Sequence, residues 1–68
     1  MKTQVHVSID VYDLYLRFVE SGVFLVTVSD VARLLAISTR SAGRILSKMC
    51  ELGLATRLSK NTYRLLKF

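Results

Sequence analysis

The chain has 68 residues and a mass of 7.7 kDa, with 51% apolar and 22% charged residues, which suits one small folded domain and no more. One cysteine and one histidine exclude an internal disulfide and a zinc site of three or four protein ligands, and no apolar stretch approaches the roughly 20 residues that span a bilayer. The net charge of +5 is uneven: residues 1–32 hold two basic and four acidic side chains, whereas residues 33–68 hold eight basic and one acidic, which favours a polyanionic partner.

The first 22 residues predict an extended arm followed by an amphipathic helix. In residues 1–9, apolar and polar side chains alternate from Val5 to Ile9, as in an arm or a short strand. No signal-peptide pattern is found there, so we expect an intracellular protein. The helix ends at Gly22, and its apolar face repeats with helical spacing: Val11, Leu14, Tyr15, Phe18 and Val19.

The chain is more apolar than one small core requires, since its mean hydropathy is +0.39. Tyr12 and Leu16 widen the apolar face of the first helix beyond one stripe. Packing of these residues within the domain's own core is one explanation. The other, which we expect, is a homodimer with an interface formed by Tyr12, Tyr15, Leu16 and Val19.

The middle of the chain predicts a short strand and two helices. Residues 23–28 are apolar and β-branched, which indicates a loop running into a strand. Ser29 is the predicted N-cap of the second helix, which ends near Ala36. Ser38 is the predicted N-cap of the third helix, which extends to Leu52. Residues 29–53 therefore predict two helices joined by a tight turn, the pattern of a helix-turn-helix.

The C-terminal residues predict a β-hairpin over 54–68. Two apolar and β-branched segments, 54–59 and 62–68, flank Lys60 and Asn61, where we expect a hairpin turn with Asn61 able to adopt a positive φ. The fold class is therefore α+β: a single domain over residues 1–68 with three helices, a short strand between the first two helices and a C-terminal hairpin.

The exposed face of the third helix is basic and hydroxyl-rich. Arg40 and Arg44 can each donate two parallel hydrogen bonds to guanine or bind phosphates. Gly43 costs about 1 kcal/mol relative to Ala in a helix interior, which indicates a close approach of DNA or of a neighbouring helix. Together with the basic hairpin, these features predict twelve residues that bind double-stranded DNA: Arg33, Ser38, Thr39, Arg40, Ser41, Arg44, Ser47, Lys48, Arg57, Lys60, Asn61 and Arg64.

Residues 28–54 resemble the winged helix-turn-helix of MarR- and Lrp-type prokaryotic regulators. The resemblance rests on the start of the recognition helix and its Gly-Leu ending, filled here by Ser38, Ser41, Ala42, Arg44, Ile45, Gly53 and Leu54. It implies a small transcriptional regulator, cytoplasmic and nucleoid-associated. In that reading, helix 38–52 enters the major groove and the wing at 57–64 contacts the backbone or the minor groove. The long C-terminal dimerisation helix of those regulators has no counterpart here.

Two other functions remain open at this point. Residues 12–14, 26–32 and 58–61 are similar to a small winged-helix protein of archaeal and eukaryotic ribosomal small subunits, which implies RNA or ribosome binding. The same fold also serves as a protein-interaction module. We expect neither an enzyme nor a cofactor, because no nucleophile is paired with a base and no glycine-rich phosphate loop occurs.

Overall fold

The computed structural model describes residues 10–67, which form three helices and one three-stranded antiparallel sheet. The α+β class is thereby confirmed. The predicted arm at residues 1–9 lies outside the described residues. The elements, in chain order, are α1 (Val11–Glu20), β1 (Leu25–Thr27), α2 (Val28–Leu35), α3 (Thr39–Glu51), β2 (Ala55–Arg57) and β3 (Thr62–Leu65).

The ends of α1 are fixed by local hydrogen bonds. The carboxylate of Asp10 caps the helix by accepting from the backbone N–H groups of Tyr12, at 3.1 Å, and Asp13, at 3.2 Å. Arg17 forms an ion pair with Asp13 one turn earlier, at 3.2 Å. Gly22 follows with a φ of +78°, the left-handed conformation that ends a helix without a steric penalty.

The start of α2 differs from the prediction, because Thr27 and not Ser29 is its N-cap. The Thr27 hydroxyl accepts from the Asp30 backbone N–H at 3.1 Å, and the Asp30 carboxylate accepts from the Thr27 backbone N–H at 3.0 Å. This reciprocal pair is a capping box. Thr27 is also the last residue of β1, so strand and helix are joined without a loop, and Ser29 lies exposed within the helix.

The turn between α2 and α3 consists of residues 36–38. Ala36 adopts a left-handed conformation, with φ 56° and ψ 46°, and closes α2. Ser38 is the N-cap of α3 as predicted, since its hydroxyl accepts from the Ser41 backbone N–H at 3.1 Å. The helix ends at Glu51 with Leu52 as its C-cap, one residue before the predicted end. Three residues thus connect the two helices.

The sheet has the order β1-β3-β2, so β3 is its central strand. Lys60 and Asn61 lie in the hairpin connection as expected, but the connection is wider than a two-residue turn: it comprises residues 58–61, which we call the hairpin loop. The backbone N–H groups of Leu58, at 2.9 Å, and Ser59, at 3.2 Å, both donate to the Thr62 carbonyl. Among the described non-glycine residues, Ala36 is the one with a positive φ, so Asn61 does not use that freedom.

The core lies between the helices and one face of the sheet. Val26, Tyr63 and Leu65 bury their side chains from the sheet, and Leu46 and Met49 bury theirs from α3. This packing fixes α3 against the sheet and leaves the polar face of α3 beside the hairpin. Within residues 10–67, no helix is long and apolar enough to cross a membrane.

Candidate nucleic-acid interface

An open cleft of about 670 Å³ lies between α3 and the hairpin. We call it the basic cleft. The α3 side is formed by Thr39, Arg40, Gly43, Arg44, Ser47 and Glu51, the hairpin contributes Arg57, Lys60, Asn61 and Tyr63, and Val28 at the start of α2 completes it. Residues far apart in the sequence therefore face one another across a single surface.

The spacing along α3 explains its contribution to the basic cleft. Gly43 and Arg44 follow Arg40 by three and four residues, and Ser47 follows Gly43 by four and Arg44 by three, which places these residues on the same side of a helix. The buried residues of α3 lie on a different side of the helix: Ala42, Ile45, Leu46 and Met49. Burial of that apolar face orients the two arginines toward the hairpin.

The hairpin side of the basic cleft is held in place by Arg57. Its Nε atom donates to the Ser59 carbonyl at 3.1 Å, and its Nη2 atom donates to the Lys60 carbonyl at 2.9 Å. The guanidinium carbon also lies 5.9 Å from the centroid of the Tyr63 ring, a distance typical of a cation–π contact. Arg57 therefore supplies both a positive charge and the hydrogen bonds that shape the hairpin loop.

Gly43 faces the basic cleft and not another helix. Within residues 10–67, a Cβ atom built on Gly43 would meet no atom outside its own stretch of helix within 4 Å, so close packing of another of these helices is excluded as the reason for this glycine. Gly43 is half-buried and lies between the two arginines of α3. The other expectation, an approach of DNA, stays a prediction.

The charge of the basic cleft is positive. Four cations line it, Arg40, Arg44, Arg57 and Lys60, against one carboxylate, that of Glu51. Glu51 lies 3.7 Å from the ammonium group of Lys48, which itself stands outside the cleft. Low-dielectric walls concentrate the field of such clustered charges, so the site favours an anionic ligand.

All twelve residues predicted to bind DNA are exposed. Seven of them line the basic cleft: Thr39, Arg40, Arg44, Ser47, Arg57, Lys60 and Asn61. The other five do not line it: Arg33, Ser38, Ser41, Lys48 and Arg64.

The five residues outside the basic cleft lie on other surfaces. Arg33 borders a separate depression beside Asp30 on α2. Ser38 and Ser41 bond to each other at the start of α3, with 3.1 Å between their hydroxyl oxygens. Arg64 lines a different cleft. It lies on the exposed face of the sheet, because its neighbours along β3 are buried on the other face.

Four residues that line the basic cleft were not among the twelve: Val28, Gly43, Glu51 and Tyr63. The position of Glu51, four residues after Ser47, is a signal that could have placed it on this face of α3. Along β3, the apolar Tyr63 and Leu65 alternate with Thr62 and Arg64. This alternation predicts that Tyr63 is buried, but not that it contacts a cleft. Val28 carries no such signal, because only the tertiary structure brings it near the hairpin.

The predicted dimer residues divide between the core and the surface. Tyr15 is 4% exposed, and its hydroxyl donates to the Leu66 carbonyl, so its side chain belongs to the domain's own core and offers almost no surface to a partner. Tyr12 is 54% exposed, while Leu16 and Val19 are half-buried. The expectation that Tyr15 lies in an accessible interface is therefore corrected.

Residues 10–67 contain no cluster of three or more His, Cys, Asp or Glu side chains that could hold an ion. Cys50 is a free, half-buried thiol on α3 that packs against the core.

Comparison of the chain with protein-family models, curated proteins and solved structures gives no significant match.

Proposed function

We propose that this protein binds double-stranded DNA as a small transcriptional regulator with a winged helix-turn-helix. In this proposal α2 and α3 are the helix-turn-helix, and β2 and β3 with the hairpin loop are the wing. The observation that carries it is the basic cleft, in which Arg40 and Arg44 from α3 face Arg57 and Lys60 from the hairpin. A helix flanked by a basic hairpin suits a ligand with a groove between two anionic backbones.

The two arginines of α3 are proposed to contact base edges. They lie one helical turn apart, about 6 Å along the axis, which is close to two base-pair steps of duplex DNA. Each guanidinium can donate two hydrogen bonds to the O6 and N7 atoms of guanine. Thr39 and Ser47 on the same face are short, so they allow α3 to enter the major groove closely.

The hairpin loop is proposed to contact the DNA backbone. Lys60 and Asn61 lie at the loop and line the basic cleft. A lysine ammonium binds phosphate as a point charge, and the Asn amide can donate to a phosphate oxygen or to a minor-groove acceptor. Such contacts would orient the protein on the duplex without reading its sequence.

A salt titration tests the class of ligand. Binding to random duplex DNA, single-stranded DNA and structured RNA is measured over a range of salt concentrations. We expect the duplex to bind most tightly, with a log–log slope of about −4 or steeper, which corresponds to roughly five or more phosphates. Tighter binding of structured RNA would favour the ribosomal type of function. No binding to any nucleic acid near physiological salt would indicate a protein-docking surface.

Removal of single charges tests the assignment of α3 to base contacts. Arg40→Gln and Arg44→Gln are each expected to cost about 1–3 kcal/mol on a preferred duplex and to relax base preference at one position. Arg17→Gln is the matched control, because it removes the same charge from an exposed arginine on α1, outside the basic cleft. An equal loss of affinity for every DNA sequence would assign Arg40 and Arg44 to phosphate contacts instead.

A further inference from the structure

Gly43 is the one residue of the α3 face of the basic cleft that has no side chain. We infer that a base-pair edge of bound DNA contacts the backbone of α3 directly at Gly43, which makes this position a determinant of how deeply α3 enters the groove. The inference rests on the proposed function, since it assigns the point of closest contact within the same site.

The protein's own structure does not require glycine at this position. Gly22 and Gly53 have φ values of +78°, a conformation that favours glycine, but Gly43 lies inside α3 and is not among the positive-φ residues. Within the described residues, a Cβ atom at Gly43 would touch nothing outside its own stretch of helix within 4 Å. Alanine would fit the free protein and would favour the helix, because glycine is the poorer helix former.

The placement of Gly43 supplies a reason outside the protein. It follows Arg40 by three residues and directly precedes Arg44, so its height along the helix axis is between theirs, and it lies beside them on the side of α3 that lines the basic cleft. A base edge bonded to either arginine lies against this side of α3. Any side chain at Gly43 would project into that space, whereas the bare Cα allows the helix and the bases to come into van der Waals contact.

The experiment measures stability and DNA binding for Gly43→Ala and Gly43→Val. Stability is the melting temperature of the free protein, and binding is measured on two probes: the duplex that the wild-type protein selects from a random pool, and the unselected pool. Ser29→Ala is the matched control, since it also places alanine at an exposed helical position, on α2 and outside the basic cleft.

We expect opposite effects on the two properties. Gly43→Ala should raise the melting temperature by roughly 4–8 °C. It should weaken binding to the selected duplex by roughly 5- to 150-fold, the range expected for overpacking. Gly43→Val should weaken binding to the selected duplex further, and its melting temperature should not fall below that of the wild-type protein. Both variants should lose less affinity for the unselected pool than for the selected duplex, because phosphate contacts dominate binding to the pool. Ser29→Ala should retain wild-type affinity on both probes.

Two contrary results have different meanings. If the wild-type protein selects a duplex but Gly43→Ala and Gly43→Val bind it as tightly as wild type, the contact at Gly43 is disproved and the proposed function stands. If the wild-type protein binds no duplex, the proposed function itself fails, and the inference fails with it.

Discussion

Arg57 shows how one side chain can have a structural and an electrostatic role at once. Its two hydrogen bonds to the Ser59 and Lys60 carbonyls tie the hairpin loop to the end of β2. The sequence predicted a positive charge near the turn, but charge alone does not distinguish a side chain that binds phosphate from one that orders a loop. The two carbonyl partners identify the second role.

Substitution of Arg57 by lysine separates these roles. Arg57→Lys keeps the charge but loses the forked geometry that reaches two carbonyls, because lysine has a single ammonium group. We expect DNA affinity to fall by a factor on the order of 10, since two hydrogen bonds of about 0.5–1.5 kcal/mol each are lost. Faster hydrogen exchange of the backbone N–H groups at residues 58–61 should accompany the loss.

Lys60→Ala is the comparison variant for that experiment. It removes a charge from the loop while leaving both bonds of Arg57 intact, because they end on backbone carbonyls. The log–log salt slope should become less steep by about 0.9, the change for one phosphate contact. If Arg57→Lys left both the salt slope and the hydrogen exchange of residues 58–61 unaltered, Arg57 would act through its charge only and would not order the loop.

At the scale of elements, the junction of β1 and α2 shows where local signals compete. Thr27, Ser29 and Asp30 lie close together in the sequence, and both hydroxyl residues are good N-caps. Pairing of β1 with β3 continues through Thr27 opposite Thr62, which keeps Thr27 extended as a cap residue must be. The helix therefore begins immediately after the strand.

The capping box predicts a difference between two neighbouring substitutions. Thr27→Val preserves the shape of the side chain but removes the oxygen that accepts from Asp30, so we expect the free energy of unfolding to fall by about 1 kcal/mol. Ser29→Ala should leave it within about 0.5 kcal/mol of wild type, because exposed sites away from caps tolerate substitution. Urea unfolding of both variants measures this. Equal destabilisation by Thr27→Val and Ser29→Ala would contradict the assignment of Thr27 as the N-cap of α2.

In contrast, α3 was predicted at both ends from the sequence, to within one residue. Ser38 and Gly53 bracket a run of helical periodicity without a competing signal, and no strand precedes Ser38 to shift the start. Local rules were sufficient here because the helix is preceded and followed by turns. The hairpin loop was less predictable, since its width depends on where the pairing of β2 and β3 stops.

At the scale of the whole molecule, a stripe on α1 stands apart from the basic cleft. Tyr12, Leu16 and Val19 follow one another at helical spacing beside the buried face of α1, and Tyr12 is the most exposed of the three. We propose this stripe as the contact surface of a homodimer. A two-fold dimer would present two basic clefts to two half-sites of a palindromic DNA sequence.

Sedimentation equilibrium tests the dimer and its surface. We expect a mass twice the 7.7 kDa of the chain. Tyr12→Glu should reduce the mass to that of one chain, because a charge in an apolar contact is not solvated. Leu34→Glu is the control, since Leu34 is a similarly exposed apolar residue on α2, 61% against 54% for Tyr12. Dissociation by Leu34→Glu instead of Tyr12→Glu would assign the interface to a different surface.

The amino-acid sequence by itself determined the class of fold and the sign of the charge at the site. Helical periodicity, the N-cap at Ser38 and the β-branched segments indicated three helices, a short strand and a hairpin, because these signals act between residues close in the chain. The excess of basic residues after residue 32 likewise indicated an anionic ligand. Seven of the twelve predicted binding residues accordingly line one cleft.

The tertiary structure decided which residues share that cleft. Arg64 and Arg57 are both basic residues of the hairpin, yet only Arg57 faces α3, because pairing with β1 and β2 fixes the face to which each side chain of a strand points. Tyr15 is buried in the core for a similar reason, because its hydroxyl donates to the carbonyl of Leu66, which is 51 residues away in the sequence. Contacts between distant parts of the chain depend on packing and strand register, which local sequence patterns do not encode.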